Sequence, residues 1–285
     1  MRCGFIGLGH IGKFLAGSLL RNGFVVTVYD LNADAAAPLV AKGAKLAGSI
    51  KELCDASDTV FTCLPSPRAI DAVVAGAGGV IESLAGRATR GTWIDMSTND
   101  QDETLRLGAM CEAQGINVLE SPVTGGVHKA AHGDITVLVG GDQAVFAAHE
   151  KALNAMGQPV LYIGKLGSAA VIKVITNMLA FIHLVAAGEA LMLAKRGGLD
   201  LGIAFEAIKQ SSGNSFVHET ESQVILNGSY NINFTMDLAL KDMGFALGYG
   251  KEFGVPLALA TLTNEQFVKA KAAYGGEAWS SQVVK

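Results

Sequence analysis

The stretch that decides the fold is RCGFIGLGHIGK, residues 2–13. An apolar run at residues 3–6 has the composition of a buried strand, and it passes directly into Gly7-Leu8-Gly9-His10-Ile11-Gly12 at the start of a helical pattern. In such a turn, Gly7 permits the tight bend, Gly9 lets backbone N–H groups approach a phosphate, and Gly12 permits close packing of helix on strand. The stretch predicts a dinucleotide-binding βαβ unit. A glycine-rich turn without a ligand is the alternative.

A second apolar run, residues 25–29, ends at Asp30, about twenty positions beyond the glycines. A carboxylate at this point can accept hydrogen bonds from the ribose hydroxyls of the cofactor, and it repels the 2′-phosphate of NADP. The following Leu31-Asn32 provides no arginine to bind that phosphate. We therefore predict NAD as the cofactor, with NADP disfavoured. The alternative role for Asp30 is a cap of the next helix.

Composition bounds the class of protein. The 285 residues are 50% hydrophobic and 17% charged, which suffices for two domains with a large core. A net charge of -4 argues against nucleic acid or an anionic membrane as partner. The four cysteines form no C-x-x-C pair and no metal-binding spacing, so we expect a cytoplasmic protein without a metal.

Residues 174–193 are long and apolar enough to resemble a membrane-spanning helix. They include Asn177, His183 and Glu189, however, and these polar residues favour a buried helix between two domains.

Strand and helix patterns alternate until about residue 164, where the strand patterns stop. The predicted strands are residues 3–6, 25–29, 59–63, 92–96, 135–139 and 160–163, with helical patterns such as 11–22 and 101–114 between them. The helical patterns that follow are at about 168–196, 201–211, 216–226, 236–253 and 257–273. We predict an α/β Rossmann-type doubly wound sheet, mostly parallel, in residues 1–164. An all-α second domain, residues 165–285, would follow, beginning with a long interdomain helix.

Lys173 interrupts the long apolar helix, and Asn177 follows one turn later on the same face. Burying an unpaired ammonium is costly, so a lysine in this place has a partner or a function. Burial also lowers the pKa of a lysine towards the range in which it can accept and donate a proton. The pattern predicts Lys173 as an acid/base group. The alternatives are a lysine that extends to solvent at the helix edge, and an Asn177 that only bridges two helices.

Four motifs, in order along nearly the whole chain, resemble the β-hydroxyacid dehydrogenase family, which includes 3-hydroxyisobutyrate and tartronate semialdehyde enzymes. They are the turn at residues 7–12, the segment Glu120-Ser121-Pro122-Val123-Thr124-Gly125-Gly126, the segment from Lys173 to Asn177, and Phe234 with Lys241-Asp242. The chain departs from the family pattern where Glu120-Ser121 replaces Asp-Ala, Thr124 replaces serine and Thr176 replaces asparagine. These departures leave the reaction type intact and put the substrate in doubt.

The resemblance implies a role for each motif. The implied cofactor-binding residues are Gly7, Gly9, His10, Ile11, Gly12, Asp30, Leu64, Pro65, Thr98 and, from the second domain, Lys241. The implied substrate-binding residues are Thr124, Gly125, Gly126, Asn177, Phe234 and Asp242. Lys173 and Asn177 would be the catalytic pair. Consecutive glycines can also present N–H groups to an anion, which supports the role of the Thr124 segment independently.

We therefore predict an NAD-dependent oxidoreductase that transfers hydride between the nicotinamide and a short 3-hydroxy acid or the corresponding semialdehyde, with Lys173 as general acid/base. The resemblance implies a homodimer or homotetramer. An imine reductase-type enzyme on the same scaffold is one alternative, although such enzymes typically lack this lysine. A non-catalytic cofactor-binding scaffold protein is the other. The particular hydroxy acid, its anionic head group and the physiological direction stay open.

Overall fold

The computed structural model describes residues 1–285, which form two compact units, Met1–Lys173 and Val174–Lys285. The first unit alternates strands and helices, and the second is helical. This order confirms the predicted fold class, a Rossmann-type sheet followed by an all-α part. The boundary between the compact units, after Lys173, falls inside one long helix. The predicted domain boundary is at residue 164, where the strand patterns stop.

The first unit is built on a nine-stranded sheet. Its strands are β1 Arg2–Ile6, β2 Val25–Tyr29, β3 Lys45–Leu46, β4 Thr59–Thr62, β5 Thr92–Asp95, β6 Asn117–Glu120, β7 Val123–Thr124, β8 Thr136–Gly141 and β9 Val160–Gly164. The spatial order is β3-β2-β1-β4-β5-β6-β8-β7, and β9 pairs with β8. Every neighbouring pair along the run β3-β2-β1-β4-β5-β6 is parallel, and β8 is antiparallel to both β6 and β7. The strand order reverses between β1 and β4, and parallel α/β sheets bind ligands beside such a reversal, at the carboxyl ends of the strands.

Helices cover both faces of this sheet. They are α1 Gly12–Arg21, α2 Ala37–Val40, α3 Ile50–Asp55, α4 Pro67–Val74, α5 Val80–Leu84, α6 Gln101–Ala113, α7 Gly126–His132 and α8 Gln143–Met156, with a 3₁₀ helix at Ala33–Ala36. Neighbouring residues in the central strands belong alternately to two core clusters: Phe5 and Ile6, Val60 and Phe61, Trp93 and Ile94. Since successive strand side chains point to opposite faces, the sheet has an apolar core on each side.

The second unit is formed by helices alone. They are α9 Ser168–Arg196, which begins in the first unit, α10 Leu201–Lys209, α11 Phe216–Leu226, α12 Met236–Glu252 and α13 Ala258–Tyr274, with a final 3₁₀ helix at Ser280–Val284. The core of this unit contains Phe181, Met243 and Phe267. The rings of Phe181 and Phe267 lie edge to face with centroids 5.4 Å apart, an arrangement that aromatic pairs prefer.

Helix α9 is long and apolar enough to cross a membrane by length and composition alone, and one third of its apolar window is buried. Ile175, Leu179, Met192 and Leu193 are among its exposed apolar side chains, and Leu193 is 75% exposed. The expectation of a mainly buried helix is therefore wrong for the single chain. Core helices of soluble proteins and membrane spans share this composition, so the helix alone does not define a class.

Candidate active site

The glycines of residues 7–12 play two different structural parts. Gly7 has a φ of +93°, and its N–H donates to the Tyr29 carbonyl at 3.0 Å. A Cβ on Gly7 would collide with the backbone of Cys63, and a Cβ on Gly12 would collide with the Gly7 carbonyl. Around Gly9, in contrast, no atom lies within 4 Å of the place a Cβ would take. Gly7 and Gly12 are thus required by packing, whereas Gly9 leaves an open backbone surface.

Helix α1 begins at this open surface. Its N-cap is Ile11, and no side chain caps the first turn. Helix N-termini leave several backbone N–H groups without intrahelical partners and carry a partial positive charge. Gly9 and His10 are exposed beside them. An uncapped helix start next to an open glycine fits the pyrophosphate of a dinucleotide.

Asp30 joins the end of β2 to this turn. Its Oδ2 accepts from the Leu8 N–H at 2.6 Å, and its Oδ1 accepts from the Asn32 N–H at 2.8 Å. Each carboxylate oxygen can accept a further bond, so ribose hydroxyls can still be bound. The following 3₁₀ helix is capped by Asn32, whose side chain accepts from the Asp34 N–H. The cap expected as the alternative role of Asp30 is therefore supplied by Asn32.

A buried hydrogen-bond network ties together the loops that follow β4 and β5. Asp95 Oδ1 accepts from Thr62 Oγ1 at 2.8 Å, from Ser97 Oγ at 2.6 Å and from the Ser97 N–H at 3.1 Å. Ser97 Oγ in turn accepts from the Leu64 N–H at 2.9 Å. The network places Leu64 and Thr98 on loops at the carboxyl edge of the sheet. Thr62 and Ser97 are not among the predicted site residues, although polar residues at the ends of buried strands are the signal that points to them.

Pro65 and the loop around Thr124 lie at the same edge of the first unit. Pro65 is exposed and follows Leu64 directly. Thr124 ends β7, where it pairs with Thr136 of β8. Gly125 and Gly126 follow with φ values of +124° and +80°, which side chains other than glycine rarely tolerate. The glycines are therefore required by the backbone of this loop, and their N–H groups start helix α7.

Lys173 is 6% exposed and lies on α9, four residues before Asn177. One helical turn separates residues at this spacing, so their Cα–Cβ bonds leave the same face of the helix. Because charged lysines are almost never this buried without a partner or a function, burial strengthens the case for an acid/base role over an exposed lysine.

Asn177 and the Lys241-Asp242 pair come together within the second unit. Asn177 Nδ2 donates to Asp242 Oδ2 at 2.6 Å, and Lys241 Nζ lies 3.3 Å from Asp242 Oδ1. Asp242 is 1% exposed. The contacts show a buried carboxylate that fixes the Asn177 amide. Phe234 is half-buried, with its ring centroid 6.0 Å from that of Phe181. The substrate-binding roles predicted for Phe234 and Asp242 stay predictions.

Comparison with known proteins agrees with this fold. Residues 2–164 match the family described as the NAD binding domain of 6-phosphogluconate dehydrogenase. Residues 167–285 match the family described as NAD-binding of NADP-dependent 3-hydroxyisobutyrate dehydrogenase. The fold, the glycine turn and these matches define an NAD(P)-binding oxidoreductase.

Individual relatives narrow this class. The chain is 34% identical to 2-(hydroxymethyl)glutarate dehydrogenase of Eubacterium barkeri over 100% of its own length and 94% of the relative. The solved 3-hydroxyisobutyrate dehydrogenase of Salmonella typhimurium superposes with a TM-score of 0.90 at 30% identity, covering 100% of this chain and 99% of that one. The chain belongs to the β-hydroxyacid dehydrogenase family.

Two further structures bear on cofactor and reaction. Psf3 in complex with NADP+ and 2-OPP superposes with a TM-score of 0.91 at 25% identity, covering 99% of this chain and 98% of that one. An imine reductase from Pseudomonas sp. has a TM-score of 0.66 at 21% identity, covering 99% and 97% of the two chains, and this likeness concerns the fold alone. The hydroxyacid dehydrogenase interpretation therefore fits better than the imine reductase alternative.

Proposed function

We propose that this chain is an NAD-dependent dehydrogenase of a short 3-hydroxy acid, or a reductase of the corresponding semialdehyde, with Lys173 as general acid/base. The observation that carries the proposal is the 6% exposure of Lys173, a single buried ammonium one turn before Asn177. A buried lysine of this kind can change its protonation near neutral pH, which a guanidinium cannot do.

The chemistry follows from these groups. A nicotinamide cofactor, held by the turn at Gly7–Gly12 and by Asp30, would supply hydride transfer to and from the substrate carbon. Neutral Lys173 removes the hydroxyl proton during oxidation, and its ammonium protonates the carbonyl oxygen in the reverse direction. Asn177, whose amide is held by Asp242 at 2.6 Å, orients the reacting groups. The Thr124 hydroxyl and the N–H groups of Gly125 and Gly126 bind the anionic head of the substrate. Positioning together with one proton transfer supplies most of the rate enhancement.

The preference for NAD rests on the end of β2. Asp30 presents its carboxylate at the end of β2, where the motif predicts the adenosine ribose, and the neighbouring Leu31 is 93% exposed and uncharged. A like charge opposite the extra phosphate disfavours NADP, whereas free ribose hydroxyls donate to the carboxylate. The Psf3 complex holds NADP+, so the proposed preference is tested by assaying this chain with both cofactors.

The assembly and environment form part of the proposal. A second copy of this chain, in a homodimer or homotetramer, would cover the apolar side chains that α9 leaves exposed, among them Leu179, Met192 and Leu193. The net charge of -4 and the four free cysteines support a cytoplasmic protein whose partner is a small anionic substrate, with neither nucleic acid nor membrane involved. Sedimentation of wild type and Leu193→Glu tests the assembly: a monomeric wild type contradicts it.

The decisive experiment is a panel of substrates assayed in both directions with NAD and NADP. The panel includes 3-hydroxyisobutyrate, glycerate, threonate, serine, four-carbon semialdehydes, 2-(hydroxymethyl)glutarate and cyclic imines. We expect turnover of one hydroxy acid or semialdehyde. Turnover of imines alone identifies an imine reductase. NAD binding without any turnover supports the scaffold alternative.

Lys173→Ala and Lys173→Arg test the acid/base role on the substrate found. We expect both to lower kcat by about two to four orders of magnitude, as the loss of one acid/base group does. NAD affinity, measured by calorimetry, should be unchanged. If Lys173→Ala keeps more than about a tenth of wild-type kcat, Lys173 is not the acid/base group.

A further inference from the structure

The Glu120 side chain fills a buried space in the first unit that a neighbouring glycine leaves open. It ends strand β6, is 3% exposed, and lies opposite Gly140 of β8 in an antiparallel pair. A Cβ on Gly140 would collide with the Glu120 carboxylate. The glycine therefore leaves the room that the carboxylate fills.

The carboxylate of Glu120 caps the start of helix α9, which lies about fifty residues later in the sequence. The Ala169 N–H donates to Oε1 at 2.9 Å, and the Ala170 N–H donates to Oε2 at 2.8 Å. Gly167, the residue before the helix, has a φ of +91° and no side chain with which to cap it. Helix α6, in contrast, is capped by its own N-cap residue, Asp100. The first-turn N–H groups of α9 are thus satisfied by a buried anion from another element.

Lys173 lies on the turn that follows this capped turn. It comes four residues after Ala169, so the two Cβ atoms are about 6 Å apart on one face of the helix. Side chains of a helix lean towards its N-terminus, which directs the Lys173 side chain over the turn that Glu120 holds. Lys173 therefore lies on the same helix face as Ala169, one turn beyond the turn that Glu120 holds.

We propose that Glu120 is a positioning residue for Lys173, which fixes the start of α9 through Ala169 and Ala170 and supplies the negative charge nearest to that turn. The inference rests on the proposed acid/base role of Lys173 and assigns no contact between Glu120 and substrate.

The groups around Glu120 determine its charge. Burial raises the pKa of Glu120 to about 7, the N–H bonds from Ala169, Ala170 and Gly167 oppose this, and Asp95 on β5 adds to the rise. On β8, Gly140 brings no charge, and among the ionisable residues of α9 (Lys173, His183, Glu189, Lys195 and Arg196) Lys173 is the one nearest in sequence to the capped turn. Glu120 therefore ionises in the neutral range and is an anion on its alkaline side.

Glu120→Gln is the primary test, with the exposed Glu150→Gln as its matched control. Removing the anion favours neutral Lys173, so we expect the acidic limb of the kcat profile for alcohol oxidation to move to lower pH by about 0.5–1 unit. We expect kcat at the plateau to fall about tenfold because the first turn loses an acceptor, with NAD affinity within about twofold of wild type. Glu120→Asp, which keeps the charge, should restore the position of the limb.

Gly140→Ala provides a second perturbation that leaves Glu120 in place. The added methyl displaces the carboxylate, so kcat should fall, whereas the control Gly248→Ala meets open space and should not change it. If the acidic limb of the kcat profile in Glu120→Gln stays at its wild-type pH, or if the substitution only lowers the melting temperature, Glu120 is a structural cap and the inference is overturned. If Glu120→Gln does not fold, wild-type kcat in Gly140→Ala overturns it. Activity retained in Lys173→Ala would instead refute the proposed function itself.

Discussion

Ser97→Ala is the most direct test of how the sheet holds its loops. Ser97 is 4% exposed, and its hydroxyl donates to Asp95 at 2.6 Å and accepts from the Leu64 N–H at 2.9 Å. Loss of the bond to a carboxylate costs about 1.5–3 kcal/mol, and an unpaired Leu64 N–H costs about 1–3 kcal/mol. Asp95 keeps its donors Thr62 and the Ser97 N–H, and Leu64 is only half-buried, so we expect a loss of about 2–3 kcal/mol in the free energy of unfolding.

This loss has two measurable consequences. By calorimetry, the melting temperature should fall by about 4–12 °C, given about 2–4 °C per kcal/mol for a unit of this size. NAD should bind about three- to tenfold more weakly, since the loop after β4 loses its tether and about 1 kcal/mol of preorganisation. Ser211→Ala is the control, because Ser211 is exposed and bonds only within its own turn. A melting temperature within about 1 °C of wild type, with unchanged NAD affinity, would refute the assigned network.

Two further predictions concern cofactor choice and acid stability. Asp30→Asn with Leu31→Arg should narrow or reverse the ratio of kcat/KM for NAD to that for NADP; an unchanged ratio, or a wild type that prefers NADP, removes Asp30 as the selector. Burial lowers the pKa of His149 below 6.5, and its ring bonds Thr59 at 3.0 Å. The His149 imidazole therefore binds a proton more readily in the unfolded chain than in the folded one. The stability that neutral His149 contributes is complete above about pH 6.5, and it is lost as the pH falls through the pKa of the folded state. The melting-temperature advantage of wild type over His149→Gln should therefore shrink from pH 7.5 to about 5.5, and a constant difference would contradict it.

The fold was largely accessible from the sequence because its signals are local. The strands around Phe5, Val28 and Phe61 are short apolar runs, and each is followed by residues typical of a turn or helix start. Strand β6, residues 117–120, was missed, since it begins with Asn117 and ends with Glu120, neither of which favours a strand. The two-residue strands β3 and β7 give no periodic pattern at all.

The candidate site was accessible where a motif is continuous and inaccessible where it is assembled from distant segments. The glycine turn and the Lys173–Asn177 spacing lie within single stretches of sequence. The cap of α9 joins Glu120 to Ala169, and the amide of Asn177 meets Asp242 at 65 positions' separation. No local pattern encodes such pairs, because tertiary packing rather than helical or strand spacing brings them together.

The exposure of Leu31 has an evolutionary consequence. Asp30 supports the fold through two backbone N–H groups, whereas the 93% exposed side chain of Leu31 faces solvent. Surface substitutions of that kind usually change stability by less than about 0.5 kcal/mol. A lineage can therefore acquire a cation at position 31 as a nearly neutral change, long before any change at position 30. The stability cost then falls on the later change at position 30, where the replacement for Asp30 has to keep the hydrogen bonds from the Leu8 and Asn32 N–H groups.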